Sequence, residues 1–227
     1  MQTAIITGAS RGLGRSLVLT LVQRGVRVVG IARPSADFDA LAALAGPNFV
    51  AVAADVADPE ALVRAAAVAH AALGVVDVLV HNASTLGPVP LRPALDVSAE
   101  QLARVFAVNV TGPHALTRRV AGAMALRGEG TVVAISSDAA VNAYEEWGPY
   151  SAAKAANDHL FRILAAENPA LRVFTVDPGE MDTVMHRAAL PDADTQTLRR
   201  AVDVAHSLLA LLDTAQSGMR HELEVTP

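Results

Sequence analysis

The chain has 227 residues, 52% of them hydrophobic, and a formal net charge of -5. That length suits one α/β domain with a sizeable core, and the acidic balance, without any dense Lys/Arg tract, argues against nucleic acid or an anionic membrane as partner. The sequence contains no cysteine, which excludes disulfides, thiol catalysis and zinc–thiolate sites, and no metal is expected.

The N-terminus, Met1-Gln2-Thr3-Ala4-Ile5-Ile6, enters an apolar run at once, without a signal-peptide layout. No charge-free apolar stretch reaches the ~18 residues that a membrane helix needs. A soluble cytoplasmic protein is the expectation.

Short Val/Ile-rich runs recur at residues 3–7, 27–32, 49–53, 76–81, 131–136 and 172–176. Most are continuously apolar rather than alternating, as in strands buried on both faces, which predicts a parallel sheet with helices on both sides. Helix signals lie between them. Asp58-Pro59-Glu60 supplies an N-cap, a first-turn proline and a first-turn acid. Ser98 with Gln101 forms a capping box ahead of a long helix expected over 98–126. Further helices are predicted over 150–168 and 202–212, and a final edge strand over 221–225. The alternation predicts a single Rossmann-type doubly wound α/β domain covering residues 1–227.

Chemistry is concentrated at the first strand-to-helix turn, Thr7-Gly8-Ala9-Ser10-Arg11-Gly12-Leu13-Gly14. Glycines there allow the chain to turn sharply and approach a pyrophosphate, and the helix N-terminus offers free N–H groups. The end of the second strand, Gly30-Ile31-Ala32-Arg33-Pro34-Ser35, has no acid to accept from an adenosine 2′-hydroxyl. Arg33, with Arg11 as a second cation, instead suits a 2′-phosphate, which selects NADP(H) as cofactor.

Farther along, Tyr150-Ser151-Ala152-Ala153-Lys154 puts a phenol and an ammonium one helical turn apart, and the cation is expected to lower the phenol pKa. Ser136-Ser137 ends the fifth strand, at the edge where open α/β sheets bind ligands. Asn109 lies in an apolar helical stretch, where a buried amide needs partners; a structural bond to backbone is one account.

These motifs together resemble the short-chain dehydrogenase/reductase family in its single-domain form. The matching features are the glycine turn at Thr7 to Gly14, Asp55 after the third strand, Asn82-Ala83, Asn109, Ser137 thirteen positions before Tyr150, the Tyr150/Lys154 pair, and the Pro178-Gly179-x-x-x-Thr183 stretch. The resemblance implies a role for each. Tyr150 is the general acid, Lys154 lowers its pKa and holds the nicotinamide ribose, and Ser137 binds the carbonyl oxygen. Asn109 positions a water that links Lys154 to solvent. Gly8, Ser10, Arg11, Gly12, Leu13 and Gly14 cradle the pyrophosphate. Asp55 and Val56 hold the adenine, Asn82 and Ala83 the cofactor backbone, and Pro178, Gly179, Met181 and Thr183 the nicotinamide end. His81 and Ser84 replace a common Asn and Gly beside Asn82-Ala83.

The second half is most similar to the sepiapterin-reductase and benzil-reductase branch. Glu222 falls where those enzymes carry a substrate-anchoring carboxylate, and is either such an anchor or an exposed edge charge. Trp147 either stacks on a flat substrate or packs beneath the loop 138–149, which with a lid at 185–190 is expected to wall the pocket. The partner implied is a small-molecule carbonyl, with a vicinal diketone or pterin-like compound in view. The competing readings are a catalytically silent NADP(H) sensor and an NAD-linked alcohol dehydrogenase. Helices at 98–126 and 150–168 imply a homodimer. The tail lacks the family's frequent Gly-Gly ending, which leaves a tetramer open.

Overall fold

The computed structural model describes residues 1–223. Seven strands form one wholly parallel sheet in the order β3-β2-β1-β4-β5-β6-β7. They are β1 (Thr3–Thr7), β2 (Arg27–Ala32), β3 (Phe49–Ala53), β4 (Val78–His81), β5 (Thr131–Ile135), β6 (Arg172–Asp177) and β7 (Arg220–Glu222). Every residue of β1, β4 and β5 is buried, as the unbroken apolar runs require.

The helices are α1 (Gly12–Gln23), α2 (Ala36–Ala45), α3 (Pro59–Leu73), α4 (Ala99–Phe106), α5 (Gly112–Arg127), α6 (Gly148–Glu167), α7 (Val184–Ala189) and α8 (Ala201–Leu211). One core packs α1, α2 and α8 against the sheet through residues such as Leu17, Phe38 and Leu208. The other packs α3, α5 and α6 through Leu62, Leu116 and Phe161. Asp58 caps α3, accepting from the Glu60 and Ala61 N–H groups, and the capping box at Ser98 and Gln101 is formed in full.

Three expectations are corrected. The long helix over 98–126 is interrupted at Ala107–Thr111 by a π-helical turn, after which α5 restarts with Pro113 in its first turn. β4 begins at Val78 rather than Val76, because Asp77 N–H donates to Thr3 Oγ1 at 3.0 Å instead of joining the ladder. The last strand is Arg220–Glu222, one residue earlier than expected; the remainder of the expected strand, Glu224 and Val225, lies outside the described residues. No helix among the described residues is long and apolar enough to cross a membrane.

Parallel pairing points every strand the same way, so all the carboxyl ends fall on one edge. The strand order reverses between β1 and β4, opening the crevice in which such sheets hold ligands.

Candidate active site

The glycine turn after β1 is tied down from two sides. Thr7 Oγ1 accepts the Asn82 and Ala83 N–H groups, both at 3.0 Å, and the Asn82 amide donates to the carbonyls of Thr7 (3.0 Å) and Gly8 (3.2 Å). Gly8 has φ +66°, and a Cβ there would lie 2.8 Å from Ala83 Cα; on Gly14 it would lie 2.3 Å from the Gly8 carbonyl oxygen. No side chain fits at either place. Arg11 N-caps α1 without a side-chain hydrogen bond, and the first turn carries no acid. The open N–H groups of a twelve-residue helix therefore face the edge of the sheet, a ready anion site. Thr183 closes the turn from across the crevice, its methyl 3.4 Å from where a Gly12 Cβ would stand.

Arg33 is exposed at the end of β2. Burial by itself would raise the Asp55 carboxyl, but the Ala57 N–H, Arg104 and, at longer range, Arg33 hold it below the usual carboxylate range. Asp55 Oδ2 accepts from Arg104 Nη2 at 2.6 Å and Oδ1 from Ala57 N–H at 2.9 Å. Asp55 thus already has a guanidinium partner, Arg104, which the sequence had not pointed to. Val56, next to it, is buried. This end of the crevice, with its bare helix terminus, glycine cradle and neighbouring cations, fits a dinucleotide's phosphates.

At the other end, Tyr150 and Lys154 sit on one face of α6 and are both buried. Lys154 Nζ donates to the Ile135 carbonyl at 2.5 Å, which fixes α6 to the end of β5. The ammonium lies 5.5 Å from the centre of the Tyr150 ring. The expectation of a lowered phenol pKa is not met. Burial pushes Tyr150 up to about 12; Ser137 and Ser84 facing its hydroxyl act the other way, while Asp177 and Asp138 add to the rise. Burial likewise pushes the Lys154 amine down to about 8, against the pull of Asp158 and Asp177. For the phenol, desolvation outweighs the hydroxyls that face it.

Ser137 follows β5. Its Oγ accepts the Ala139 N–H at 3.2 Å, donates to Asp138 Oδ1 at 3.0 Å and faces the Tyr150 phenol. Ser136, by contrast, is turned inward and donates to Asp158 Oδ2 at 2.7 Å. Asn109 sits in the π-helical turn. Its Oδ1 accepts Thr85 N–H (2.9 Å) and Ser84 Oγ–H (3.1 Å), and its Nδ2 donates to the Thr85 carbonyl (2.9 Å). The side chain therefore holds the loop that carries Ser84 to Tyr150, in line with the structural account. Sequence reading treated Ser84 only as a tolerated departure from glycine; its hydroxyl proves to face the phenol.

A third apolar cluster, apart from the two cores, surrounds Tyr150. It joins Leu86 and Ala139 with Leu91, Trp147, Met185 and Ala189. Trp147 meets the Tyr150 ring edge-on, with centroids 5.7 Å apart. The loop after Ser137 and the segment around Met185 thus do converge at the phenol, and Trp147 packs against it. On the remaining loop, Gly179 N–H donates to Asp177 Oδ1 at 2.9 Å, Pro178 is buried, and Met181 packs against the first core. Glu222 is largely exposed and its carboxylate pairs with Arg220.

Residues 2–194 match the short chain dehydrogenase family. The chain is 34% identical to sepiapterin reductase of Xenopus laevis over 212 residues, covering 87% of this chain and 80% of that protein. It is 35% identical to human L-xylulose reductase, covering 84% and 76% respectively. Among solved structures, a 3-ketoacyl-(acyl-carrier-protein) reductase from Brucella melitensis complexed with NADH superposes with a TM-score of 0.89 at 25% identity, over 98% of this chain and 96% of that one. With the sheet order, the glycine turn and the Ser–Tyr–Lys edge in agreement, the chain belongs to the short-chain dehydrogenase family of oxidoreductases.

Proposed function

We propose that the protein reduces a ketone or aldehyde to an alcohol with NADPH. The observation that supports this most is the convergence of Ser137, Tyr150 and Lys154 on the edge that also carries the bare N-terminus of α1. Gly8 through Gly14 and Asn82-Ala83 hold the pyrophosphate, Arg11 and Arg33 the 2′-phosphate, Asp55 and Val56 the adenine end, and Pro178, Gly179, Met181 and Thr183 the nicotinamide end. When bound, the nicotinamide supplies the hydride. Ser137 Oγ–H donates to the substrate oxygen and steadies the negative charge that develops there. Tyr150 gives up its phenolic proton to that oxygen, and Lys154, buried beside the Tyr150 ring, would hold the nicotinamide ribose.

With its pKa at about 12, Tyr150 keeps its proton at neutral pH, the state from which a general acid must act. The apolar wall of Leu86, Trp147 and Met185 suits a flat, activated carbonyl, such as a vicinal diketone or a pterin-like side-chain ketone. With Glu222 already paired, the wall does more than that acid to select the substrate. A homodimer would pair the helices at 98–126 and 150–168 of two copies.

The test is NADPH oxidation with a panel of vicinal diketones, pterin-like ketones and keto-sugars. Stoichiometric alcohol from at least one class is expected. Tight NADPH binding with no turnover of any carbonyl or alcohol supports the silent sensor instead.

A further inference from the structure

Beneath the catalytic residues lies a charged layer that the reaction scheme does not use. At its centre is Arg220, on the short edge strand β7, with a side chain only 12% exposed. Its Nη2 donates to Asp177 Oδ2 at the end of β6 (2.6 Å) and to the carbonyl oxygen of Ser137 (3.1 Å). Its Nε lies 3.5 Å from Asp158 Oδ2 on α6, and its Nη1 pairs with Glu222. Asp158 in turn accepts from Ser136.

β7 is hydrogen-bonded to β6 alone, yet the guanidinium reaches past β6 to the main chain of the catalytic serine. Burying a cation among carboxylates carries a heavy desolvation cost, so the arrangement is not an economical way to secure an edge strand. Its geometry is that of a fork holding three segments at once, the ends of β5 and β6 and the middle of α6. The planar guanidinium can do this, and a point-charge ammonium cannot. One of the carboxylates it neutralises, Asp177, also acts on the Tyr150 phenol.

We propose that Arg220 is a positioning residue for the reaction. It holds the Ser137 main chain, and with it the Ser137 hydroxyl, in register with Tyr150. This rests on the reductase reading above and deepens it.

The experiment is a double-mutant cycle between Arg220→Met and Ser137→Ala, using the carbonyl that the wild type reduces fastest. Arg220→Met is expected to lower kcat on the order of thirtyfold, with KM and NADPH affinity within about threefold. Arg220→Lys should recover only part of the loss. In the Ser137→Ala background, the same change should cost no more than about threefold, because the residue through which Arg220 acts is already gone. Losses that multiply in full across the cycle overturn the proposal, as does an Arg220→Met enzyme with wild-type kcat. Should Arg220→Met fail to fold, the cycle is run with Arg220→Lys and judged in the same way.

Independently of turnover, the Ala140 amide, which donates to the Ser137 carbonyl that Arg220 also holds, should exchange on the order of tenfold faster in either Arg220 variant after correction for global stability. Unchanged exchange also overturns the placement. A wild-type enzyme that reduces no carbonyl overturns the reductase reading itself, whereas normal wild-type turnover with a multiplicative cycle overturns only the role of Arg220.

Discussion

The two halves of the carboxyl edge are built from different materials. From β1 to β4 the site is backbone: a glycine turn, the Thr7 hydroxyl accepting two N–H groups, and the Asn82 amide locking two carbonyls. The buried imidazole on that side, His81, is neutral, its pKa pushed down to about 3 by burial. From β5 to β7 the site is charge: Arg220 pairs with Asp158 and Asp177, and both carboxylates act on the buried Lys154. On the proposed reading, the first half binds a constant ligand, for which fixed N–H groups and close contact suffice. The second half would hold and move a proton, and that calls for titratable groups kept away from water.

Breaking the backbone half should have the largest consequence for cofactor binding. Gly14→Ala puts a methyl 2.3 Å from the Gly8 carbonyl, so the turn must shift. A loss of NADPH affinity on the order of a hundredfold is expected by titration calorimetry, with destabilisation of about 1–3 kcal/mol in urea unfolding. Retained affinity would mean that the turn is more plastic than its contacts allow. Arg33→Ala tests the specificity of the same half without touching its frame. NADPH should bind on the order of tenfold more weakly while NADH changes about twofold or less. Equal losses would remove the 2′-phosphate assignment and leave the NAD-linked reading.

The smallest effect concerns His81, whose ring nitrogen sits 2.8 Å from Thr117 Oγ1. Its folded pKa is depressed from 6.5 to about 3. Between those values the unfolded chain takes up a proton that the folded chain refuses, so stability is lost as pH falls through that window. The slope attributable to this group is about 1.4 kcal/mol per pH unit at most. Unfolding free energies from pH 7 to 4 should fall less steeply in His81→Asn than in wild type; parallel curves would show that the imidazole is reached by water.

The same division governs what could be read in the sequence. The backbone half was legible almost residue by residue, because turn glycines and strand lengths are local properties. β1, β2 and β3 match their apolar runs end to end. In the charged half, Ser137, Tyr150 and Lys154 were legible from their spacing, but the groups that set their electrostatics were not. Arg220 falls just before the expected edge strand and belongs to no motif, since Asp158 and Asp177 lie far from it in the chain and only the fold brings them together. The direction of the Tyr150 shift was missed for a related reason: spacing along a helix says that Lys154 is near, not that it stands over the ring, nor how deeply both groups are buried. The π-helical turn at Asn109 left one sign, Gly112-Pro113 inside a helical pattern; a Cβ at Gly112 would come within 2.3 Å of the Val56 carbonyl, so close packing rather than a chain break is the reason for the glycine.

The account turns on Tyr150 as the proton donor beside the transferred hydride. A single-turnover comparison of wild type and Tyr150→Phe, both saturated with NADPH deuterated at the transferable position and mixed with a diketone, tests it most directly. Deuterium should appear on the product carbinol carbon, and the first turnover should slow on the order of a thousandfold in the variant, with NADPH affinity unchanged. A variant that transfers deuterium within about tenfold of the wild-type rate would contradict the account.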